Sequence, residues 1–230
     1  MIALHAAGRS YTVGGRTLWA LRPTTLTIGV HELVVVLGPS GSGKTTLLNL
    51  VGGLDQPTHG RVVVGDEEVS SLDRAALARY RRSTTAVVFQ AHNLVPHLTV
   101  RENIELAAEL VGRTAHVDDA LRSVGLDDRA GHFPSELSGG EQQRVAVARS
   151  LVKAPAVLLA DEPTGSLDVD TGRQVVKLLA AAHARGCCVV IVTHNAAIAR
   201  AATRVITMRG GEVTADAPNA SPTDVDALDW

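Results

Sequence analysis

The chain has 230 residues, with 22 Lys and Arg against 24 Asp and Glu, so its formal charge is −2 with His neutral. This balance excludes a strongly basic nucleic-acid clamp and a highly charged disordered chain. Apolar residues make up 45% and aromatic residues only 3%, so Val, Ile, Leu and Ala must fill the core of a globular protein. The length predicts a single domain over residues 1–217 with a subdomain inside it.

The cysteines and the apolar runs indicate the cellular compartment of the chain. Cys187 and Cys188 are adjacent and no third cysteine exists to pair with them, which favours a reducing compartment. The N-terminus has no basic region followed by a long apolar stretch, so no signal peptide is predicted. The apolar runs are far shorter than the roughly 20 residues that a membrane-spanning helix needs. We therefore expect a cytoplasmic chain.

The predicted elements alternate between strands and helices. Thr- and Val-rich segments before Glu32 and around 61–68 predict an antiparallel β flap. Continuous apolar runs, typical of strands buried on both faces of a parallel sheet, are Leu33–Leu37, Arg61–Val64, Ala86–Phe89, Ala156–Ala160, Cys187–Val192 and Arg204–Met208. Predicted helices are Lys44–Val51, Arg74–Arg82, Val100–Val111, Glu141–Val152 and Asp170–Ala184. This alternation predicts an α/β fold with crossover helices.

Three segments depart from the alternation. Residues from about 95 to 153 contain helical patterns and turns without a convincing strand, which predicts an inserted helical subdomain. Met208–Val213 places two Gly between short strands and predicts a hairpin. After Ala217 the chain is polar and contains Pro218 and Pro222, so a disordered tail is expected over 218–230.

A glycine-rich loop connects the first predicted parallel strand to the first helix and fits the pattern G-x-x-x-x-G-K-[ST]. The loop consists of Gly38, Pro39, Ser40, Gly41, Ser42, Gly43, Lys44 and Thr45, and Thr46 follows it. Backbone N–H groups at such a helix start bind phosphate; Lys44 would reach the β- and γ-phosphates, and the Thr45 hydroxyl would hold Mg²⁺. The alternative is a flexible Gly/Ser turn. The strand–helix context favours a nucleoside triphosphate site.

Two acidic residues end the predicted strand Ala156–Ala160. At the carboxyl edge of a sheet, Asp161 can hold Mg²⁺ through its water shell. Glu162 is the natural general base for attack of water on the γ-phosphate. The alternative is that the pair caps a turn.

A second helix start carries Ser138, Gly139, Gly140 and Glu141. Ser138 and Glu141 form the pattern of a capping box, and the N–H groups of the two glycines form another terminus that can receive an anion. Two such termini, far apart in sequence, suggest that a head-to-tail pair of subunits closes around each ATP.

These motifs, in this order and over nearly the whole chain, resemble the nucleotide-binding subunit of an ABC transporter. The resemblance implies a P-loop NTPase core of the ABC type, with an antiparallel β subdomain and an inserted helical subdomain that carries the signature segment, residues 138–144. It also implies that Gln90 senses the γ-phosphate through Mg²⁺ or water, that His194 contacts the γ-phosphate, and that Asp168 ends the D-loop. Tyr11 would stack on adenine, with ordinary packing as the alternative.

Longer stretches, such as 52–60 and 161–168, resemble the group that serves lipoprotein release, macrolide export and cell-division signalling. The resemblance implies an ATPase that forms a homodimer on ATP binding and powers an integral membrane permease with an extracytoplasmic domain. The chain would then lie at the inner face of the cell membrane and would not bind nucleic acid. The alternatives are an ATPase that signals to a membrane partner without transport, and a non-transport ABC ATPase.

The loop after Gln90 is unusually apolar, with Leu94, Val95, Pro96, Leu98 and Val100. These side chains either pack beneath the helical subdomain or, as the resemblance implies, form a groove that receives a short permease helix.

Overall fold

A computed structural model describes residues 1–230, and its strands form two sheets. In chain order the strands are β1 (Ile2–Val13), β2 (Arg16–Ile28), β3 (Leu33–Leu37), β4 (His59–Val64), β5 (Glu67–Glu68), β6 (Thr85–Val88), β7 (Val157–Asp161), β8 (Cys188–Thr193), β9 (Arg204–Arg209) and β10 (Glu212–Pro218). The helices are α1 (Lys44–Val51), α2 (Arg74–Ser83), α3 (Val100–Glu109), α4 (Val117–Ser123), α5 (Gly139–Leu151), α6 (Val169–Ala184) and α7 (Ala196–Ala199). None of these helices has the length and apolar character needed to cross a membrane.

The larger sheet has six strands in the order β10-β9-β3-β8-β7-β6. Strands β3, β7 and β8 are almost fully buried, as their continuous apolar sequences require, and they lie in the middle of the sheet. They run parallel, with Leu37 opposite Thr193 and Asp161 opposite Val192. Because the carboxyl ends of parallel strands meet at one edge, the residues that follow β3, β7 and β8 are brought together there.

The smaller sheet is antiparallel, with the order β2-β1-β4-β5, and confirms the predicted β flap. It packs over one face of the parallel sheet and encloses α1 in a shared apolar core, to which Leu21, Leu47 and Val62 contribute. The other face of the parallel sheet packs against α6 through Val175 and Leu179. Helix α1 is thereby held rigidly by both sheets, and its N-terminus points to the edge where the strands end.

Helices α3, α4 and α5 pack around a separate core that includes Ile104, Leu121 and Val145. No strand interrupts the chain between Val88 and Val157, as the sequence predicted. Strands β9 and β10 form the predicted hairpin, with Gly210 and Gly211 at the turn and positive φ at both.

The tail differs from the sequence expectation. Beyond Pro218 the chain lies against the core instead of fraying: Val225 and Leu228 are buried among residues of α6 and the parallel sheet. The N–H of Thr223 donates to the Arg200 carbonyl at 2.8 Å, and the Arg173 guanidinium donates to the Leu228 carbonyl at 3.2 Å. The segment is anchored by isolated apolar side chains, Val225, Leu228 and the partly buried Trp230, and such a signal in a polar stretch is too weak to detect in a sequence.

Candidate active site

A cavity of about 710 Å³ opens at the carboxyl edge of the parallel sheet, at the start of α1. It is lined by Ala20, Pro39, Ser40, Gly41, Ser42, Gly43, Lys44, Thr45, Thr46, Gln90, Asp161, Glu162 and His194. Residues from four separate segments predicted to contact ATP or Mg²⁺ therefore meet in one place. Ala20 was not predicted, and it enters because β2 passes beside the loop.

The phosphate loop, residues 38–45, closes tightly before α1. Gly43 has φ of 97° and its Cα lies so near the Ala20 carbonyl that a Cβ would sit 2.5 Å from that oxygen, so only glycine fits. The Lys44 side chain, 6% exposed, folds back under the loop and donates to the carbonyls of Gly38 at 2.7 Å and Pro39 at 3.1 Å. The loop thus fixes a buried ammonium group at the floor of the cavity.

The residues present fit a phosphate chain. The Leu47 N–H makes the bond to the Gly43 carbonyl that starts α1, so the N–H groups of Lys44, Thr45 and Thr46 have no acceptor within the helix. The helix dipole favours an anion at the same point. The Ser42 hydroxyl lines the cavity, is buried, and has no hydrogen-bond partner. Unsatisfied donors and a buried cation are what a triphosphate would require here.

Hard oxygen atoms suited to Mg²⁺ lie at the side of the same cavity. The Thr45 hydroxyl donates to Asp161 Oδ1 at 3.1 Å, and Gln90 lines the cavity beside them. Burial raises the pKa of Asp161 above its ordinary value, and the neighbouring Glu162 adds to this rise. No group of three or more His, Cys, Asp or Glu side chains is placed to hold a metal. The residues therefore suit a cation such as Mg²⁺ that keeps water and phosphate among its ligands.

Glu162 and His194 are in direct contact. Glu162 Oε2 lies 3.0 Å from His194 Nδ1 and accepts from the Thr193 hydroxyl at 3.1 Å, while Oε1 lies 3.7 Å from Lys44 Nζ. The Glu162 side chain is 18% exposed and His194 is 67% exposed. Thr193 was missed in the sequence; its only signal is its place between an apolar strand and a histidine. The arrangement holds the carboxylate in a fixed orientation at the cavity wall.

Gln90 follows β6 and meets the segment after β7. A Cβ at Gly165 would lie 3.0 Å from Gln90 Nε2, so the amide group sits directly against this glycine. The amide thus lies beside the segment that leads into the D-loop, residues 166–168.

The signature segment lies outside this cavity. Ser138 and Glu141 form the predicted capping box: the Glu141 N–H donates to Ser138 Oγ at 3.3 Å, and the Ser138 N–H donates to Glu141 Oε2 at 2.8 Å. The hydrogen bonds from Ser138 lower the pKa of Glu141. Ser138 and Gly139 are exposed, whereas Gly140 is buried against the Thr171 side chain, which a Cβ would overlap. The segment is a well-capped helix start that faces solvent.

Asp168 and Tyr11 also lie outside the cavity lining. Asp168 caps α6 by accepting from the Thr171 N–H at 3.0 Å. The Tyr11 hydroxyl donates to Asp55 Oδ2 at 3.2 Å, and the Arg9 guanidinium lies 4.8 Å from the ring centroid. Tyr11 is 46% exposed, so one face of its ring is packed and part of the side chain is free. Stacking of Tyr11 on adenine stays a prediction.

Comparison with known proteins gives a consistent result. The family model described as ABC transporter matches residues 21–165. Macrolide export ATP-binding/permease protein MacB of Burkholderia cenocepacia (strain HI2424) is 42% identical over 224 residues, which are 95% of this chain and 33% of that protein. The chain thus spans about a third of the length of the curated relatives it matches.

Solved structures agree with the fold. The dimeric structure of a post-hydrolysis state of the ATP-binding cassette MJ0796, bound to ADP and Pi, superposes with a TM-score of 0.90 at 38% identity, over 96% of this chain and 100% of that one. The structure of cbiO1 from Clostridium perfringens, part of the ABC transporter complex cbiONQ, gives a TM-score of 0.82 at 27% identity, over 95% and 88%. With its phosphate loop, acidic strand end and capped signature helix, the chain belongs to the ABC transporter family, as an ATP-binding cassette with the ABC ATPase fold.

Proposed function

We propose that the cavity binds ATP and that this chain hydrolyses it through the residues gathered there. The observation that carries the proposal is the convergence of Lys44, Thr45, Asp161, Glu162 and His194 on one cavity at the start of α1. The phosphate loop and Lys44 would bind the β- and γ-phosphates. Tyr11 would contribute to binding adenine.

Hydrolysis requires a base beside the γ-phosphate. Glu162 would accept a proton from water as its oxygen adds to the γ-phosphorus and the bond to the ADP oxygen breaks. The contacts of Glu162 with Thr193 and His194 orient the carboxylate, and His194 would contact the γ-phosphate. Thr45, Asp161 and Gln90 would hold Mg²⁺, which neutralises phosphate charge when it is bound.

The signature segment points to a second copy of the chain. Ser138 and the N–H of Gly139 are exposed at a helix start but lie away from the cavity of their own subunit. In a head-to-tail homodimer they would cover the ATP bound by the partner, with the D-loop at Asp168 beside them. The dimeric state of MJ0796 supports this arrangement.

A membrane permease completes the proposed function. Relatives are named ATP-binding/permease proteins, and this chain matches only about a third of their length. We infer that the ATPase dimer docks on a permease with an extracytoplasmic domain at the inner face of the membrane, and powers export or extraction of its substrate.

Glu162→Gln tests the catalytic assignment and the dimer together. Gln keeps the shape and the hydrogen bonds of Glu162 but is not a base, so turnover should fall by about 100-fold or more while ATP still binds. With ATP, the Glu162→Gln protein should then form a stable dimer that sedimentation detects. The double variant Glu162→Gln, Ser138→Arg should remain a monomer. Glu67→Gln, at an exposed edge strand, is the matched control and should behave as wild type.

Two results would contradict this assignment. Turnover of Glu162→Gln within about twofold of wild type would remove Glu162 as the base. A Glu162→Gln, Ser138→Arg protein that still dimerises with ATP would reduce the signature segment to a capped helix start.

A further inference from the structure

Arg149, near the C-terminal end of α5, binds the loop that follows Gln90. Its guanidinium donates to the main-chain carbonyls of Asn93 at 2.6 Å and His92 at 2.8 Å. Arg149 makes no ion pair, and burial lowers the pKa of its guanidinium. A cation that is partly taken out of water without a carboxylate partner is costly, so these two carbonyl contacts contribute much of its stabilisation.

The loop adopts an uncommon backbone conformation where Arg149 binds it. His92 and Asn93 have φ of 55° and 52°, in the left-handed region that non-glycine residues rarely occupy. Two successive residues in this region turn their carbonyls toward α5. The Arg149 guanidinium donates a hydrogen bond to each of these two carbonyls.

A second side chain of α5 holds the other side of Gln90. Gln143 is 1% exposed, and its Nε2 donates to the carbonyls of Pro163 at 3.0 Å and Phe89 at 3.4 Å. Helix α5 therefore contacts Phe89, immediately before Gln90, and both His92 and Asn93 after it. Gln90 itself is left free to line the ATP cavity.

The same helix begins at the signature segment. Ser138 and Arg149 are eleven positions apart, which corresponds to about 16 Å along an α-helix. Along its length α5 packs in the helical core through Val145 and Ala148 and against the parallel sheet through Val147, so its close-packed turns transmit a displacement from one end to the other. A displacement of the loop at Gln90 would therefore be carried through Arg149 to Ser138 at the far end.

We infer that Arg149 is a positioning residue that couples the two ATP sites of the dimer. When Gln90 shifts toward ATP bound in its own subunit, Arg149 draws α5 with the loop and brings Ser138 to the position that covers the partner's ATP. The inference rests on the proposed function, because it requires the head-to-tail dimer. Arg149 touches neither nucleotide.

The test compares ATP affinity of the monomer with ATP-driven dimerisation, both in a Glu162→Gln background. Arg149→Met keeps the length and apolar stem but loses the donors. It should leave fluorescent-ATP binding to the dilute monomer within about twofold, and raise the dimer dissociation constant about tenfold or more. Arg149→Lys should retain part of the coupling, because an ammonium group can also donate to two carbonyls, as that of Lys153 does to those of Arg81 and Thr85.

Arg113→Met is the matched control. Arg113 also donates from its guanidinium to a main-chain carbonyl, that of Val152 at 2.9 Å beside the end of α5, but it does not contact the loop after Gln90. A purely structural loss at this end of the helix would affect both variants alike. Arg113→Met should dimerise with ATP as its parent does.

A second pair of variants tests the link from the loop side, where α5 is untouched. Asn93 is exposed; Val is strongly disfavoured at its φ of 52°, whereas Gly accepts it. Asn93→Val should reproduce the dimerisation defect and Asn93→Gly should not. If Arg149→Met does not fold, this pair still tests whether the loop after Gln90 is coupled to dimerisation.

The outcomes separate the two levels of the proposal. If Glu162→Gln alone fails to dimerise with ATP, the proposed function falls and the coupling falls with it. If it dimerises, and Arg149→Met and Asn93→Val dimerise equally well, the coupling role of Arg149 is wrong while the dimer stands. Loss of monomer ATP binding in Arg149→Met would place its role in the site instead.

Discussion

Glu162 is held in a backbone conformation that a non-glycine residue avoids, with φ of 45°. Such a residue costs on the order of 1–3 kcal/mol and persists only where its surroundings enforce it. Here the Glu162 N–H donates to the Val192 carbonyl at 2.9 Å, and Thr193 and His194 bind the carboxylate. Glu162 keeps this conformation at the wall of the cavity, where its carboxylate is exposed to the site.

The buried ammonium group of Lys44 leads to a prediction about ATP affinity. Lys44→Ala removes the buried ammonium, so the ATP dissociation constant should rise about 100-fold, which corresponds to about 2.7 kcal/mol. Titration with a fluorescent ATP analogue measures it. Lys177→Ala, at an exposed position of α6, is the control and should bind as wild type. Unchanged affinity together with unchanged turnover in Lys44→Ala would exclude the phosphate loop as the ATP site.

Among the elements, the loop between β6 and α3 combines a fixed backbone with uncovered apolar side chains. Asn103 is fully buried; its amide donates to the carbonyls of Leu98 and Thr99 at 2.9 Å, and its Oδ1 accepts from the Val95 N–H at 2.8 Å. Val95 is 37% exposed, whereas Leu94 packs against the helical core. Leu94 thus follows the packing alternative, whereas docking of a permease helix at Val95 stays a prediction.

Aspartate substitutions distinguish the exposed Val95 from Leu94, which packs against the helical core. Val95→Asp should leave the ATPase activity and melting temperature of the isolated subunit unchanged, but uncouple ATPase activity from the permease in membranes. Leu94→Asp should instead destabilise the fold by about 2 kcal/mol or more, because it buries a charge in the helical core. Thermal unfolding and a coupled ATPase assay measure both. Coupling that survives Val95→Asp would place the permease contact elsewhere.

Across the whole molecule, Arg204 joins the two sheets. From β9 it donates to both carboxylate oxygens of Asp216 on β10 at 2.7 Å and to the Thr27 carbonyl on β2 at 2.8 Å. The hydrogen bond from Arg204 lowers the pKa of Asp216 below its ordinary value. The hairpin at the edge of the parallel sheet is thereby tied to the antiparallel sheet that covers α1.

This pair predicts a pH dependence of stability. Because the pKa of Asp216 is lower in the folded than in the unfolded protein, the pair stabilises above about pH 4, and that contribution is lost as the pH falls through the folded-state value. Asp216→Asn should cost about 1–2 kcal/mol at pH 7, and the difference from wild type should shrink below pH 4. Urea unfolding at several pH values measures this. A difference that stays constant with pH would mean that the charge of Asp216 contributes nothing.

The docked tail makes a second prediction about the whole molecule. Leu228 is 2% exposed among residues of the core, so Leu228→Ala should lower the free energy of unfolding by about 2–4 kcal/mol. Asp229→Ala is the neighbouring control, since that side chain is 95% exposed. Equal stability of the two variants would mean that the segment after Pro218 does not pack in solution.

The sequence by itself determined the local chemistry. Helix α1 begins and ends where its pattern predicted, the phosphate loop and the acidic pair at 161–162 lie in one cavity, and Ser138 caps α5 with Glu141. These features depend on short spacings, on glycine at a left-handed position, and on apolar runs whose period identifies a buried strand. Such signals are complete within a few residues of chain.

Only the tertiary structure decided which distant groups touch. Nothing in the sequence indicates that Thr193 binds Glu162, that Arg149 reaches His92 and Asn93, or that Leu228 is buried. Each of these contacts joins residues whose separation is set by strand order and helix packing, not by local pattern. Single apolar or basic side chains are common on surfaces, so their roles arise only when folding places a specific partner opposite them.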